Sequence, residues 1–178
     1  MDPVHSEILF SVRHMMVSKV RGQFDKFEMT IDLSEDNPAD STIEVKIDAA
    51  SINTSEEERD GHLKSPDFLD VQNHPYLYFK GKRIEVLDDN KAKLIGDLTI
   101  RDMTNEVTLD VEYLGQSRSP YGFTIAGFEA NTRLERKDWE LTWNVPLDTG
   151  GVLVGDAIDI NIQLELTKQD QPESETAE

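Results

Sequence analysis

The chain has no cysteine among its 178 residues, which removes disulfides, thiolate metal ligands and cysteine nucleophiles together. Its stability must come from packing and hydrogen bonding. Long apolar runs are missing too: no stretch approaches the roughly 18 to 20 apolar residues that span a bilayer, so no integral membrane segment is expected. The first residues lack the basic, apolar and small-residue succession of a signal peptide. The expected location is cytoplasmic as the chain is written, and periplasmic or secreted if such a peptide has been removed from it. Basic residues are scarce, 18 against 36 acidic ones, a formal charge of -18. A surface of that sign repels phosphate backbones within a Debye length, so nucleic acid is not an expected partner and the acidity reads as a solubility device.

Signatures of catalysis are missing as well. The sequence has no serine-nucleophile motif, no Walker-type phosphate loop and no dinucleotide glycine pattern. Its four histidines, His5, His14, His62 and His74, show neither an HExxH pair nor ligand-like spacing and read as structural, so no metal is expected. Carboxylates are too many for spacing alone to select a catalytic pair. No catalytic residue is assigned, and the chain is not expected to be an enzyme.

What the chain does have is alternation with a period of two, the mark of strands with one face in a core and one in water. The clearest case is Ala157 to Leu166, where Ile158, Ile160, Ile162, Leu164 and Leu166 share one face and Asp159, Asn161, Gln163 and Glu165 the other. The same rule selects Ile43 to Ile47, Leu94 to Ile100 and Val107 to Tyr113, and a first strand from Val4 to Val12. Between Val20 and Leu33 the apolar positions switch from even to odd near Asp25 and Lys26, which predicts one long strand with a β-bulge. Tyr76 to Val86 and Tyr121 to Glu135 bring the expected count to eight. Turn signals at Asp88 to Lys91 and Ser117 to Gly122 suit hairpins, so neighbours should pair antiparallel.

One segment breaks the pattern. Ser55 to Ser65 has acidic residues in a first helical turn, where they suit the macrodipole, and Pro66 ends it. Phe68 and Leu69 follow as an apolar plug that must be buried. The last residues, 169–178, lack large apolar side chains and are expected to be a disordered acidic tail after one domain over 1–168. Eight alternating strands and one helix fit a barrel or a two-sheet sandwich, with closure favoured because it leaves no unpaired edge.

Four sequence blocks resemble the YceI family of lipocalin-like, polyisoprenoid-binding proteins. They are DPVHSEILFSVRHMMVSKVRGQF (Asp2 to Phe24), RDGHLKSPDFLDVQNHPYLYFK (Arg59 to Lys80) following ASINT, GDLTIRDMTNEVTLDV (Gly96 to Val111) and ERKDWELTWNVPLDTGGVLVGD (Glu135 to Asp156). Asp102 and Glu140 stand where the family usually has glycine, and Glu135 where it has asparagine. The resemblance implies an all-β fold, an eight-stranded antiparallel lipocalin-like barrel with one short helix, open to an apolar tunnel. It implies a long-chain lipid ligand such as an isoprenoid or quinone-type molecule, no other cofactor, and a homodimer in some members.

On that reading the tunnel wall is expected to draw on Phe10, Val12, Met16, Val20, Phe24, Phe68, Leu69, Phe79, Leu98, Trp139 and Trp143. Each of these residue types is equally at home in a plain core. Arg59, Asp60 and His62 form one polar cluster at the expected mouth, where Arg59 and His62 could hold a head group or fix the helix to the barrel. Three functions follow from these residues: binding, sequestering or transporting the lipid; an enzyme using the barrel as a substrate chamber, with His62 or an aspartate as acid or base; or a stress or interaction protein with a filled core.

Overall fold

Strands form where the alternation predicts them. In the computed structural model, which describes residues 1–34 and 37–168, the elements are β1 (Glu7–His14), β2 (Ser18–Phe24), β3 (Phe27–Asp32), β4 (Thr42–Asp48), β5 (Ile52–Asn53), α1 (Glu57–Lys64), β6 (Tyr76–Val86), β7 (Lys91–Ile100), β8 (Met103–Arg118), β9 (Thr124–Glu135) and β10 (Val154–Thr167). The expected tail lies outside the described residues. All pairings are antiparallel, in one sheet of order β3-β4-β6-β7-β8-β9-β10-β1-β2-β5.

The expected eight strands are corrected to ten. The predicted bulge is a complete break, because the backbone there turns from one ladder to another: Asp25 N–H donates to the Ser51 carbonyl (3.1 Å) and Asp48 N–H to the Lys26 carbonyl (3.0 Å). Beyond β4, a 3-10 turn at Ala49–Ser51, capped by the Asp48 carboxylate, redirects the chain into the two-residue β5 beside Phe24. The first strand starts at Glu7 rather than Val4, and β9 at Thr124 rather than Tyr121, since Pro120 has no N–H and Gly122 (φ 96°) makes the turn.

Although the strand order is linear, its ends meet. β2 sits next to the end strand β5, and two residues later the same chain becomes β3, the opposite end. The sheet therefore curls around an interior. Register puts Val20, Gly22 and Phe24 opposite Val12, Phe10 and Ile8, which lie opposite Ile158, Ile160 and Ile162. Two glycines allow tight coiling: a Cβ on Gly22 would lie 2.4 Å from the Phe10 ring, and one on Gly96 would lie 2.5 Å from both the Phe79 ring and the Lys80 carbonyl oxygen. In each case a phenylalanine ring reaches over the glycine of a neighbouring strand.

The expected helix forms, shortened by its caps. The Glu56 carboxylate accepts from the Glu58 and Arg59 N–H groups, with Glu57, Glu58 and Asp60 in the first turn. Phe68 and Leu69 behind it are buried.

The glycines supply opposite tests of packing. Gly96→Ala should destabilise the protein by about 1 to 3 kcal/mol, because the Lys80 backbone cannot move aside. Gly61→Ala, in the exposed middle of α1 with nothing near the new methyl, should stabilise it by up to about 1 kcal/mol. Urea denaturation checks both; equal signs would contradict the packing described.

Candidate ligand-binding interior

The interior is packed at one end and loosely filled at the other. At the helix end Ile47, Ile52, Leu77, Ile100, Leu134 and Leu141 are buried in one cluster with Leu69 and Trp139. Toward the β6–β7 and β8–β9 turns, inward-facing Ile84, Ala92, Val111, Phe128, Leu164 and Leu166 are only half-buried. β10 is paired on both sides, yet every one of its residues is half-buried and none buried. A central strand facing a solid core would bury its inner row. The inner row here stays partly accessible.

The expected wall residues divide accordingly. Phe10, Val12, Val20 and Phe24 share the inner face, with the Phe10 and Phe24 rings 5.9 Å apart. Phe79 and Leu98 are directly opposed across β6 and β7 and pack on the core. Met16 is corrected: it lies in the turn between β1 and β2 with φ 64°, half-exposed against Gly151, and does not face the interior. Trp139 is 2% exposed and its indole N–H donates to the Leu98 carbonyl (3.0 Å), so it closes the packed end. Phe68 and Trp143 meet His62 edge-on in a three-ring cluster, with centroids 4.6 Å (His62–Trp143), 5.1 Å (His62–Phe68) and 5.3 Å (Phe68–Trp143) apart.

The polar cluster is an anchor for α1. Arg59 donates through Nε to Thr54 Oγ1 (2.7 Å) and through Nη2 to the Thr54 carbonyl (2.9 Å), while Asp60 accepts from the Thr54 N–H and hydroxyl. His62 Nε2 lies 2.9 Å from Asp67 Oδ2. These contacts fix the helix to β5 and use most of the groups that a head group would need.

Sequence reasoning missed Arg136. Its side chain is 2% exposed and donates to the carbonyls of Gly155 (2.9 Å), Leu141 and Trp143 (3.0 Å), with Asp156 at 3.3 Å. Burial pushes its pKa below the usual arginine value, and Asp156 opposes the shift. It holds the segment after β9 against the start of β10 and so seals the packed end. Period-two patterning carries no signal for such a residue, which lies between elements.

On the other side, a crevice of about 540 Å³ opens at the β2–β3 bend, between inward-facing Ile8, Phe24 and Phe27 and outward-facing Lys46 and Tyr76. The first residues of the chain roof it. Asp2 N–H donates to the Glu165 carbonyl (2.8 Å), and His5 Nδ1 lies 3.2 Å from Asp2 Oδ2 and 3.7 Å from Glu165 Oε1. Among the described residues these three are also the one group close enough to share a metal ion. Asp2 already accepts from Val4 N–H, and the arrangement reads as a tie for the roof.

Replacing Arg136 by Met should cost about 3 to 5 kcal/mol, since three buried carbonyls lose their donor, as a denaturant titration would show. The roof should be pH-sensitive. Its bond to Asp2 raises the His5 pKa, so that contribution is complete below the ordinary histidine value and lost as pH rises through the raised one. The Asp2 pKa is lowered, first by the Val4 N–H and then by His5, so its contribution is lost as pH falls through the lowered value. Protection of the Asp2 and Val4 amides from exchange should therefore peak between about pH 4 and 6.5; flat protection factors would refute the tie.

With that geometry in place, relatives can be compared. The family model described as a YceI-like domain matches residues 1–166. A UPF0312 protein of Staphylococcus aureus is 36% identical over 155 residues, 86% of this chain and 88% of its own. Among solved structures, a YceI protein of Campylobacter jejuni superposes with TM-score 0.76 at 30% identity, over 89% of this chain and 90% of its own. A polyisoprenoid-binding domain from Saccharophagus degradans, implicated in plant cell wall breakdown, shares the fold with TM-score 0.61 at 13% identity, over 90% of this chain and 92% of its own. The packed end, the curled sheet and the sequence matches agree: the chain belongs to the YceI-like family.

Proposed function

We propose that this protein binds a polyisoprenoid or similar long-chain amphiphile, its hydrocarbon in the half-filled apolar interior, and sequesters or carries it. The observation behind this is the inner row of β10, apolar from Ile158 to Leu166 and only half-buried although its strand is central. An isoprenoid chain has no hydrogen-bonding groups, so its affinity must come from apolar area removed from water. At about 0.8 kcal/mol per methylene, a few isoprene units outweigh the ordering cost of association. The Saccharophagus degradans domain, described as polyisoprenoid-binding, lends support through a shared fold. A quinone-type lipid satisfies the same chemistry. Apolar walls discriminate weakly between such chains, since one methylene is worth only about 1 to 3 kcal/mol.

The enzyme alternative finds less support. His62 is engaged by Asp67 and two aromatic rings, and His5 by Asp2 and Glu165.

Organic extraction of freshly purified protein followed by mass spectrometry should yield a long-chain lipid at a substantial fraction of one per chain. Ala92→Trp, which fills the loose end beside Val111 and Val86, should lower lipid uptake at least tenfold with the fold intact by circular dichroism. A protein that purifies empty and takes up no long-chain lipid would defeat the proposal.

A further inference from the structure

The loosely filled end of the interior is ringed by apolar side chains that point into water. β8 pairs with β7 as far as Glu112 opposite Lys91 and then continues to Arg118 with β9 as its strand partner. Those six further residues carry the hairpin about 20 Å past the last β7 pair. At its end Tyr121 is 88% exposed and Phe123 39%, their rings stacked at 6.4 Å and 17°. Leu114, at the bulge before Gly115, is 56% exposed, and on the neighbouring β6–β7 turn Val86 and Leu87 are 55% and 58% exposed. Hairpin tips are normally polar, and several large apolar groups at one end of a molecule mark a contact surface.

Charge narrows the partner. Of 178 residues 36 are acidic, yet from Tyr113 to Phe128 there is none, and Arg118 is the only charged side chain. The tip is thus a neutral to weakly basic apolar projection on a strongly acidic protein. A net charge of -18 disfavours approach to an anionic membrane but is indifferent to a zwitterionic one. Tyrosine beside phenylalanine suits the interface of a bilayer, where a ring enters the acyl boundary and a hydroxyl stays wet. The inner apolar row runs from Val111 through Tyr113 and Phe128 to this same end, so a hydrocarbon could pass from bilayer to interior without crossing water.

We propose that the β8–β9 hairpin tip, with Leu87 beside it, docks on the surface of a bilayer of net-neutral lipid and presents the open end of the interior to it. Docking stands on the exposed tip; only its use in lipid transfer rests on the lipid-binding reading.

The test is sedimentation of the full chain with phosphatidylcholine vesicles at physiological salt. The protein should co-sediment, and the double variant Tyr121→Ser/Phe123→Ser should lower the bound fraction at least fivefold. Val17→Ser, removing an 81% exposed apolar side chain at the opposite end, should leave it unchanged. In Tyr121→Trp, the emission relative to the parent should shift to shorter wavelength on adding vesicles and be quenched by brominated acyl chains. Equal sedimentation of parent and double variant, loss of binding in Val17→Ser, or tighter binding to phosphatidylglycerol vesicles would overturn the proposal. So would self-association on size exclusion that the double variant abolishes in the absence of vesicle binding, because the tip would then be a protein contact. Lipid extracted from the same preparations reads the interior separately, so failure of docking and failure of ligand binding are told apart.

Discussion

Asp25 and Lys26 serve two ladders at once. Before them β2 pairs with β1 and β5, after them β3 pairs with β4, and their backbone groups bond to Ser51 and Asp48 across the join. Because the same stretch of chain stands at both ends of the strand order, the sheet must curl, and curling creates an inside. Glycines at 22 and 96 let the curl tighten by admitting a phenylalanine ring where a Cβ would stand. An unbent strand would leave an open sheet with a solvated apolar face and two free edges.

Once there is an inside, its two ends are treated differently. The helix end is sealed by long-range polar anchors: Trp139 to the Leu98 carbonyl, Arg136 to three carbonyls, Arg59 and Asp60 to Thr54. Burying the Arg136 guanidinium is costly unless its donors are matched, and here carbonyls on both sides of the closing segment match them. The turn end has apolar side chains that are only half-buried. This asymmetry separates a scaffold that holds its shape from a region that can accept something.

Much of this was legible in the sequence, and the rest fails for identifiable reasons. Ile158 to Leu166 announced β10, and Phe68 with Leu69 announced a buried plug, because alternation and large apolar residues next to a helix stop are local signals. The change of parity at Asp25 was visible too, but parity does not distinguish a bulge from a corner at which a strand changes partner, so one expected strand became two; the tenth, β5, is two residues long and too short to show alternation. Met16 was expected in the wall as an apolar residue of the first block that resembles the family; two successive residues with positive φ, Met15 and Met16, end the β1 face before it. Glu140, where the family usually has glycine, keeps the left-handed turn at φ 57°. The role of Arg136 was out of reach, since its partners lie in segments that only the folded chain brings together.

The acidity and the oily interior fit together. Most close ion pairs lie on the outer face, as with Lys19 and Asp159 or Lys82 with Asp97 and Glu106, at substantial exposure. Such pairs contribute little to stability individually, at most about 1 kcal/mol. The outer charge therefore governs what approaches the protein more than whether it folds, while stability is concentrated in the packed half of the interior. A ligand that adds apolar contacts to the loose half adds them to the folded state alone, so it stabilises that state in proportion to its affinity. For a neutral hydrocarbon the surrounding negative charge imposes no penalty, whereas for a phosphate-rich or anionic guest it does. A strongly acidic exterior and an apolar, partly open interior are thus compatible in one chain, because the charge acts outside and the packing inside.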